Sequence, residues 1–118
     1  MNVSLRLNLT LDILRMATKY CFYILSCQDG DKYYGHTDNL ARRLDSHLKG
    51  RVKSTRGRRP LRLSYFEEFD SRSAAFKREM QFKNGKTRKE TIEKLIELFP
   101  AAKCQGFNSR NNLRHFIP

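Results

Sequence analysis

The chain has 118 residues, which is enough for one compact domain. Apolar residues make up 39% of it and aromatic residues 11%, a content too high for a disordered tail or a collagen-like fibre. Lysine and arginine number 24 against 12 acidic residues, so the net charge is +12 and polyanions are the expected partners. The longest clean apolar run, Cys21 to Leu25, is far shorter than the ~18 residues of a membrane span, and we expect no membrane association.

The cysteine and histidine pattern indicates neither a disulfide framework nor a zinc site. The cysteines, which form no CxxC pair and are odd in number, are Cys21, Cys27 and Cys104. The three histidines lack the spacing of metal ligands as well. We therefore expect a reducing, cytoplasmic location and no small-molecule cofactor.

Three segments have the pattern of strands. A nearly continuous apolar run predicts the first over residues 20–27, and a turn at Asp29-Gly30 leads to a second over residues 32–35. A third strand is predicted over residues 61–69. Its inward positions are expected to be the alternating Leu61, Leu63 and Tyr65.

Between the second and third strands, the sequence predicts a helix with polar groups beside an apolar stripe. Asp38 is expected to cap this helix, and Gly50 follows its end. Arg43 and His47 are four residues apart and so lie on one face. That face is next to the stripe formed by Leu40, Leu44 and Leu48.

Two more helices follow the third strand. Ser71 or Ser73 is expected to cap the second helix, which stops at Asn84-Gly85. Thr87 and Glu90 form a capping-box pattern for the third helix, whose end is set by a proline.

Glu79 is a carboxylate at a position of the second helix that should face the core. It shares this side with Ala75, Phe76 and Met80 and lies in a strongly basic stretch. A buried carboxylate needs a partner, either a cation such as Arg43 or a metal ion. Magnesium takes one or two protein carboxylates and adds waters and substrate phosphate oxygens, so both explanations stay open.

A basic loop connects the first helix to the third strand. Between Leu48 and Phe66 every charged side chain is a cation. Glycines and a proline interrupt this stretch, so it is not an amphipathic helix, and nucleic acid is favoured over a membrane surface. The loop cations are Lys49, Arg51, Lys53, Arg56, Arg58 and Arg59.

Five short motifs follow one another between about residues 20 and 99. They are Cys21-Phe22-Tyr23, Tyr33-Tyr34-Gly35, residues 39–44 with His47, Arg59-Pro60-Leu61, and residues 74–83 with Glu79. Together they resemble the GIY-YIG nuclease superfamily, in particular its small stand-alone members akin to the excinuclease nuclease domain. Cys21 and Phe22 replace the glycine and isoleucine of the first motif, and Tyr34 replaces the isoleucine of the second.

This resemblance implies an α/β (α+β) fold, in which helices flank a three-stranded antiparallel sheet, and metal-dependent hydrolysis of DNA phosphodiesters. By position it implies catalytic roles for Tyr23, Tyr33, Arg43, His47 and Glu79, with Gly35 as a structural glycine. Glu79 would hold one Mg²⁺ or Mn²⁺ and Arg43 would bind the phosphate, while a tyrosine activates water with help from His47. Either tyrosine could be the base.

A shared site requires Tyr23 and Tyr33 on one face of the hairpin. A strict two-residue turn at Asp29-Gly30 would put them on opposite faces, whereas a loop of three or five residues puts them on the same face. We therefore predict an odd-length loop or a bulge.

The expected function is a DNA endonuclease that is structure-selective or weakly sequence-selective. The loop cations are expected to hold phosphates, and no second domain is available to read bases. Branched and single-stranded DNA both remain open as substrates, as do repair and recombination as roles. The alternative is a non-catalytic nucleic-acid-binding module of the same fold, in which Glu79 pairs with Arg43. We expect residues 19–100 to form the nuclease domain, with an N-terminal extension over 1–18 and a C-terminal tail over 101–118.

Overall fold

A three-stranded antiparallel sheet forms the centre of the molecule, in the strand order β2-β1-β3. The computed structural model describes residues 19–85 and 87–104. In it β1 spans Tyr20–Cys27, β2 spans Lys32–Thr37 and β3 spans Leu61–Phe69. Because β1 is the central strand and both of its faces are covered, its sequence is almost continuously apolar.

Helices cover both faces of this sheet. Helix α1 (Leu40–Leu48) lies against the face that carries Tyr23, whereas α2 (Arg72–Lys83) and α3 (Lys89–Leu98) lie against the opposite face. The core is accordingly divided into two apolar clusters, one on each side of the sheet. The predicted α/β fold, with helices flanking a three-stranded antiparallel sheet, is confirmed.

The β1–β2 hairpin has the predicted odd-length loop. Cys27 N–H donates to Asp31 O at 2.9 Å, which continues the pairing to the residue before β2 and leaves a loop of three residues, 28–30, between this pair. The last of the three is a glycine with a φ of 88°, a conformation that favours glycine. Tyr23 pairs with Gly35, and Tyr33 lies two residues before Gly35 on β2. Tyr23 and Tyr33 therefore share a face, as a common site requires.

Strand β3 departs from the predicted alternation at a β-bulge. The consecutive β1 residues Ile24 and Leu25 pair with Tyr65 and Leu63, so Ser64 is the extra residue. Tyr65 consequently lies on the opposite face from Leu63. The expectation that these two residues share a face was wrong, because a period-two sequence pattern carries no sign of an inserted residue.

The cap of α1 is Asn39 rather than the predicted Asp38. The Asn39 side chain accepts the N–H of Arg42 at 3.0 Å. Asp38 instead forms exposed ion pairs with Arg42 and Arg72, both at 3.3 Å. Helix α1 therefore begins one residue later than a cap at Asp38 would place it.

Of the caps predicted for the other two helices, one is confirmed and one is wrong. Ser71 caps α2 as predicted and accepts the N–H of Ala74 at 3.2 Å. The capping box predicted for α3 is wrong: Arg88 takes the cap position without a side-chain bond, and Thr87 donates to Gln81 O at 3.3 Å. Thr87 therefore ties the α2–α3 connection to the preceding helix.

The described core continues past residue 100, the predicted end of the domain. Residues 101–104 are helical and bring Cys104, which is 6% exposed, into the cluster on the α1 side. The predicted extension over 1–18 and the tail after Cys104 lie outside the described residues. Among the helices that are described, none has the length and apolar character of a membrane span.

Substitutions at Asn39 and Asp38 test which of the two residues caps α1. Asn39→Ala is expected to lower the free energy of unfolding by about 1 kcal/mol, because the first turn of α1 loses a hydrogen-bond acceptor. Asp38→Ala, the matched control, removes only exposed ion pairs and is expected to cost less than half as much. Urea denaturation of both variants measures this, and a larger loss for Asp38→Ala would contradict the assignment.

Candidate active site

Tyr23 lies across the backbone of the edge strand β2. The side chain is fully buried, and the residue directly opposite it is Gly35. A Cβ placed on Gly35 would be 2.5 Å from Tyr23 Oη, closer than two such atoms approach. Gly35 is therefore required by the close approach of a phenol, and any larger residue would displace the hydroxyl.

A buried chain of hydrogen bonds runs through the Tyr23 hydroxyl. Arg43 Nε donates to Tyr23 Oη at 3.4 Å, and the same oxygen lies 2.8 Å from His47 Nε2. On the other side of the ring, His47 Nδ1 lies 2.8 Å from Thr55 Oγ1. The directions follow from the tautomer of His47: with the ring proton on Nδ1, Tyr23 donates to Nε2 and His47 donates to Thr55.

Burial and charge set the protonation states along this chain. Burial, together with the nearby phenol of Tyr33, raises the pKa of Tyr23 above its usual range. Burial and then the charge of Arg43 lower the pKa of His47 to about 4. At neutral pH the site consequently holds a protonated phenol against a neutral imidazole.

Tyr33 connects this chain of hydrogen bonds to α2. Its ring centroid lies 6.2 Å from that of Tyr23 and 5.0 Å from that of His47. Lys83 Nζ approaches the same ring from α2, at 5.9 Å from the centroid. Since α2 covers the opposite face of the sheet, Lys83 reaches around the β2 edge to make this contact.

Glu79 lies on the inward side of α2, as predicted, and is 5% exposed. Its Oε1 is 2.9 Å from His36 Nδ1 and its Oε2 is 3.0 Å from Lys83 Nζ. The cation considered as its partner in the sequence was Arg43, which contacts Tyr23 instead. The Arg43–Glu79 pair of the binding-module alternative is thus replaced by contacts to His36 and Lys83.

The chemistry around Glu79 fits a divalent cation that the substrate helps to hold. Among the described residues, no group of three or more His, Cys, Asp or Glu side chains could bind a metal ion. A single carboxylate is nevertheless sufficient for Mg²⁺ when waters and phosphate oxygens complete its shell. Glu79 is desolvated, and it would provide that oxygen donor if an ion replaced its contact with His36 or Lys83.

Thr55 connects the basic loop to the candidate site, and some of the loop cations form contacts within the protein. Arg58 pairs with Asp29 at 3.1 Å, and Arg59 donates to Leu48 O at 3.2 Å at the end of α1. Lys49 pairs with Asp45 at 2.9 Å on the exposed surface. The exposed cations of the predicted set that lie outside these side-chain contacts are Arg51, Lys53 and Arg56.

Sequence reasoning did not single out Thr55, His36 or Lys83. Lys83 had a recognisable signal, because it follows Glu79 by four residues on a helix. His36 directly follows the second motif on the face opposite Tyr23. Thr55 gave no signal, since only the closure of the basic loop brings it to His47.

Paired phenols on a hairpin, a helix arginine and a buried glutamate form the arrangement that the sequence motifs imply. A family model described as the GIY-YIG catalytic domain matches residues 19–93. The chain therefore belongs to the GIY-YIG family of nuclease domains. The matched region includes every candidate catalytic residue, from Tyr23 to Glu79.

Relatives of this chain are small proteins named UPF0213. One from Pediococcus pentosaceus is 44% identical over 75 residues, which cover 63% of this chain and 78% of the relative. Another, from Natronomonas pharaonis, is 43% identical over 79 residues, or 65% of this chain and 93% of the relative. The solution NMR structure of a UPF0213 protein from Bacillus halodurans is 34% identical, with a TM-score of 0.46, and covers 72% of this chain and 92% of that one.

The neutral His47 makes a pH-dependent contribution to stability. Its pKa falls from 6.5 to about 4 on folding, so the unfolded chain binds this proton more readily. The contribution is complete above pH 6.5 and is lost as the pH falls toward 4, a change of about 3 kcal/mol. The free energy of unfolding of the native protein, less that of His47→Gln, should shrink by this amount between pH 7 and pH 4 in urea titrations. A constant difference would contradict the neutral, buried imidazole.

Proposed function

We propose that this protein is a divalent-metal-dependent DNA endonuclease. The observation that carries the proposal is the buried chain from Arg43 through Tyr23 to His47. Binding a polyanion needs only exposed cations, whereas this chain of hydrogen bonds has an imidazole nitrogen behind a phenol and a guanidinium beside it, the groups that proton transfer and phosphate binding would use. Membership of the GIY-YIG family supports the same reaction.

Tyr33, the partly exposed phenol, is the tyrosine that we assign as the proton acceptor for water, and the buried Tyr23 passes the proton on to His47. As the water oxygen bonds to phosphorus, its proton moves to Tyr33 Oη, the Tyr33 proton moves to Tyr23 Oη and the Tyr23 proton moves to His47 Nε2. The bond from phosphorus to the leaving oxygen breaks, and that oxygen takes its proton from solvent. The 2.8 Å contact between Tyr23 and His47 supports this transfer. A phosphate bound at Arg43 would offset the positive charge that helps to depress the His47 pKa.

The charged residues Arg43, Glu79 and Lys83 have separate roles in this proposal. Arg43 binds the scissile phosphate next to the phenols, and Glu79 holds one Mg²⁺ or Mn²⁺. When bound, that ion supplies positive charge to the phosphate oxygens. Lys83, on the carboxylate side of Tyr33, adds charge where the leaving oxygen becomes negative.

The exposed loop cations position DNA through its phosphates. Such contacts carry no sequence information, so we propose structure-selective or weakly sequence-selective cleavage. A role in repair or recombination is compatible with that selectivity. The cytoplasmic location is proposed from the cysteine pattern alone.

Cleavage of a DNA panel tests the proposed reaction. We expect labelled duplex, single-stranded, flap and branched DNAs to be cut with Mg²⁺ or Mn²⁺ but not with EDTA. Glu79→Gln should lose cleavage by at least about 100-fold, because it removes the anionic ligand, while its DNA affinity stays near that of the native protein. Tight, salt-sensitive binding without cutting under either metal would favour the non-catalytic module.

Salt dependence tests the role of the loop. Arg51→Ala is expected to weaken binding by a similar factor on all sequences and to lower the slope of log K against log salt by about one. Lys94→Ala, a change of an exposed cation on α3, serves as the control and should leave the slope nearly unchanged. Fluorescence anisotropy from 50 to 200 mM salt, a range over which phosphate contacts weaken strongly, provides the measurement. A loss confined to certain sequences would contradict phosphate binding.

A further inference from the structure

Phe76 is a large apolar side chain on α2 that the core does not use. Sequence periodicity placed it on the inward side of the helix with Glu79, but it is 45% exposed. The buried residues of α2 are Ala75, Glu79 and Phe82, and these fasten the helix to the sheet. The Phe76 ring is therefore available for a contact outside the chain.

The ring is fixed beside the candidate metal-binding carboxylate. Phe76 precedes Glu79 by three residues, so the two side chains are neighbours on the helix. Its ring packs edge-on against His36, with centroids 5.6 Å apart, and His36 in turn contacts Glu79 at 2.9 Å. An exposed aromatic surface thus lies within two side-chain contacts of the site where the phosphodiester would be cut.

The charge around Phe76 favours a nucleic acid over an apolar protein partner. Glu79 is the one acidic residue in the sequence of α2, and it is buried. The cations of the helix are Arg72, Lys77, Arg78 and Lys83, and three of them are exposed. Of the exposed cations, Arg72 also pairs with Asp38 and Lys83 with Glu79, while Lys77 directly follows Phe76 in the sequence. An exposed aromatic ring on a basic helix is a combination with which proteins hold single strands, because the cations contact phosphates and the ring stacks on a base.

We propose that Phe76 stacks on an unpaired base of a DNA single strand, adjacent to the phosphate held at Glu79 and Arg43. This inference deepens the proposed function and rests on it for the position of the cleaved bond. A base inside a duplex has both faces covered by its neighbours, so the ring selects DNA with an unpaired nucleotide at the site. The substrate class that follows is single-stranded DNA or the single-stranded part of a flap or junction.

Binding in the presence of EDTA tests stacking without requiring cleavage. Fluorescein-labelled single-stranded and duplex oligonucleotides of equal length are titrated with the full chain at fixed salt. Phe76→Ala is expected to weaken single-strand binding by about 5- to 100-fold and to change duplex binding by less than about twofold. Phe76→Trp should restore single-strand binding, whereas Phe76→Leu should not. Leu98→Ala, which removes a 73% exposed apolar side chain from α3, is the control and should bind both DNAs normally.

Three results would overturn the inference. Unchanged single-strand binding by Phe76→Ala would show that the ring does not touch DNA. Equal losses on single strand and duplex would assign it a general rather than a base-stacking role. Rescue by leucine as effective as rescue by tryptophan would indicate simple apolar contact. If stacking is observed but neither metal supports cleavage, the proposed function fails while the DNA contact stands.

Discussion

The crossing of Tyr23 over Gly35 is the contact on which the candidate site depends. A phenol from the central strand can reach the sheet edge only because the residue opposite it has no side chain. The crossing places Tyr23 Oη where α1 can present Arg43 and His47 to it. The glycine of the second motif, Gly35, is therefore needed for packing. It influences the site by leaving room for Tyr23, the tyrosine of the first motif.

The site is built around an edge of the sheet. Tyr23 and Tyr33 belong to the face under α1, whereas Glu79 and His36 belong to the face under α2. Lys83 spans the two groups by contacting both the carboxylate and the Tyr33 ring. The relative positions of phenol and carboxylate thus depend on how both helices pack against β2, so folding and catalytic geometry are closely linked.

Sequence patterns predicted those features of the fold that are locally determined. The apolar run of β1, the capping of α2 by Ser71 and the inward Glu79 are each visible within a few residues. Features that depend on distant neighbours were missed or misplaced. The bulge at Ser64 needs a comparison of two strands, and the exposure of Phe76 depends on how α2 packs against the sheet.

Phe99 affects which edge of the sheet can take a further strand. The consecutive strand residues Tyr65 and Phe66 lie on opposite faces, and the Phe99 ring centroid is 4.9 Å from that of Tyr65 and 5.1 Å from that of Phe66. A ring that touches both faces must wrap around the β3 edge and obstruct it. Where Phe99 packs, β2 is therefore the edge of the described sheet that another strand could join. Such pairing would cover Gly35 and Tyr33, so self-association through the sheet and access of DNA to the site exclude each other.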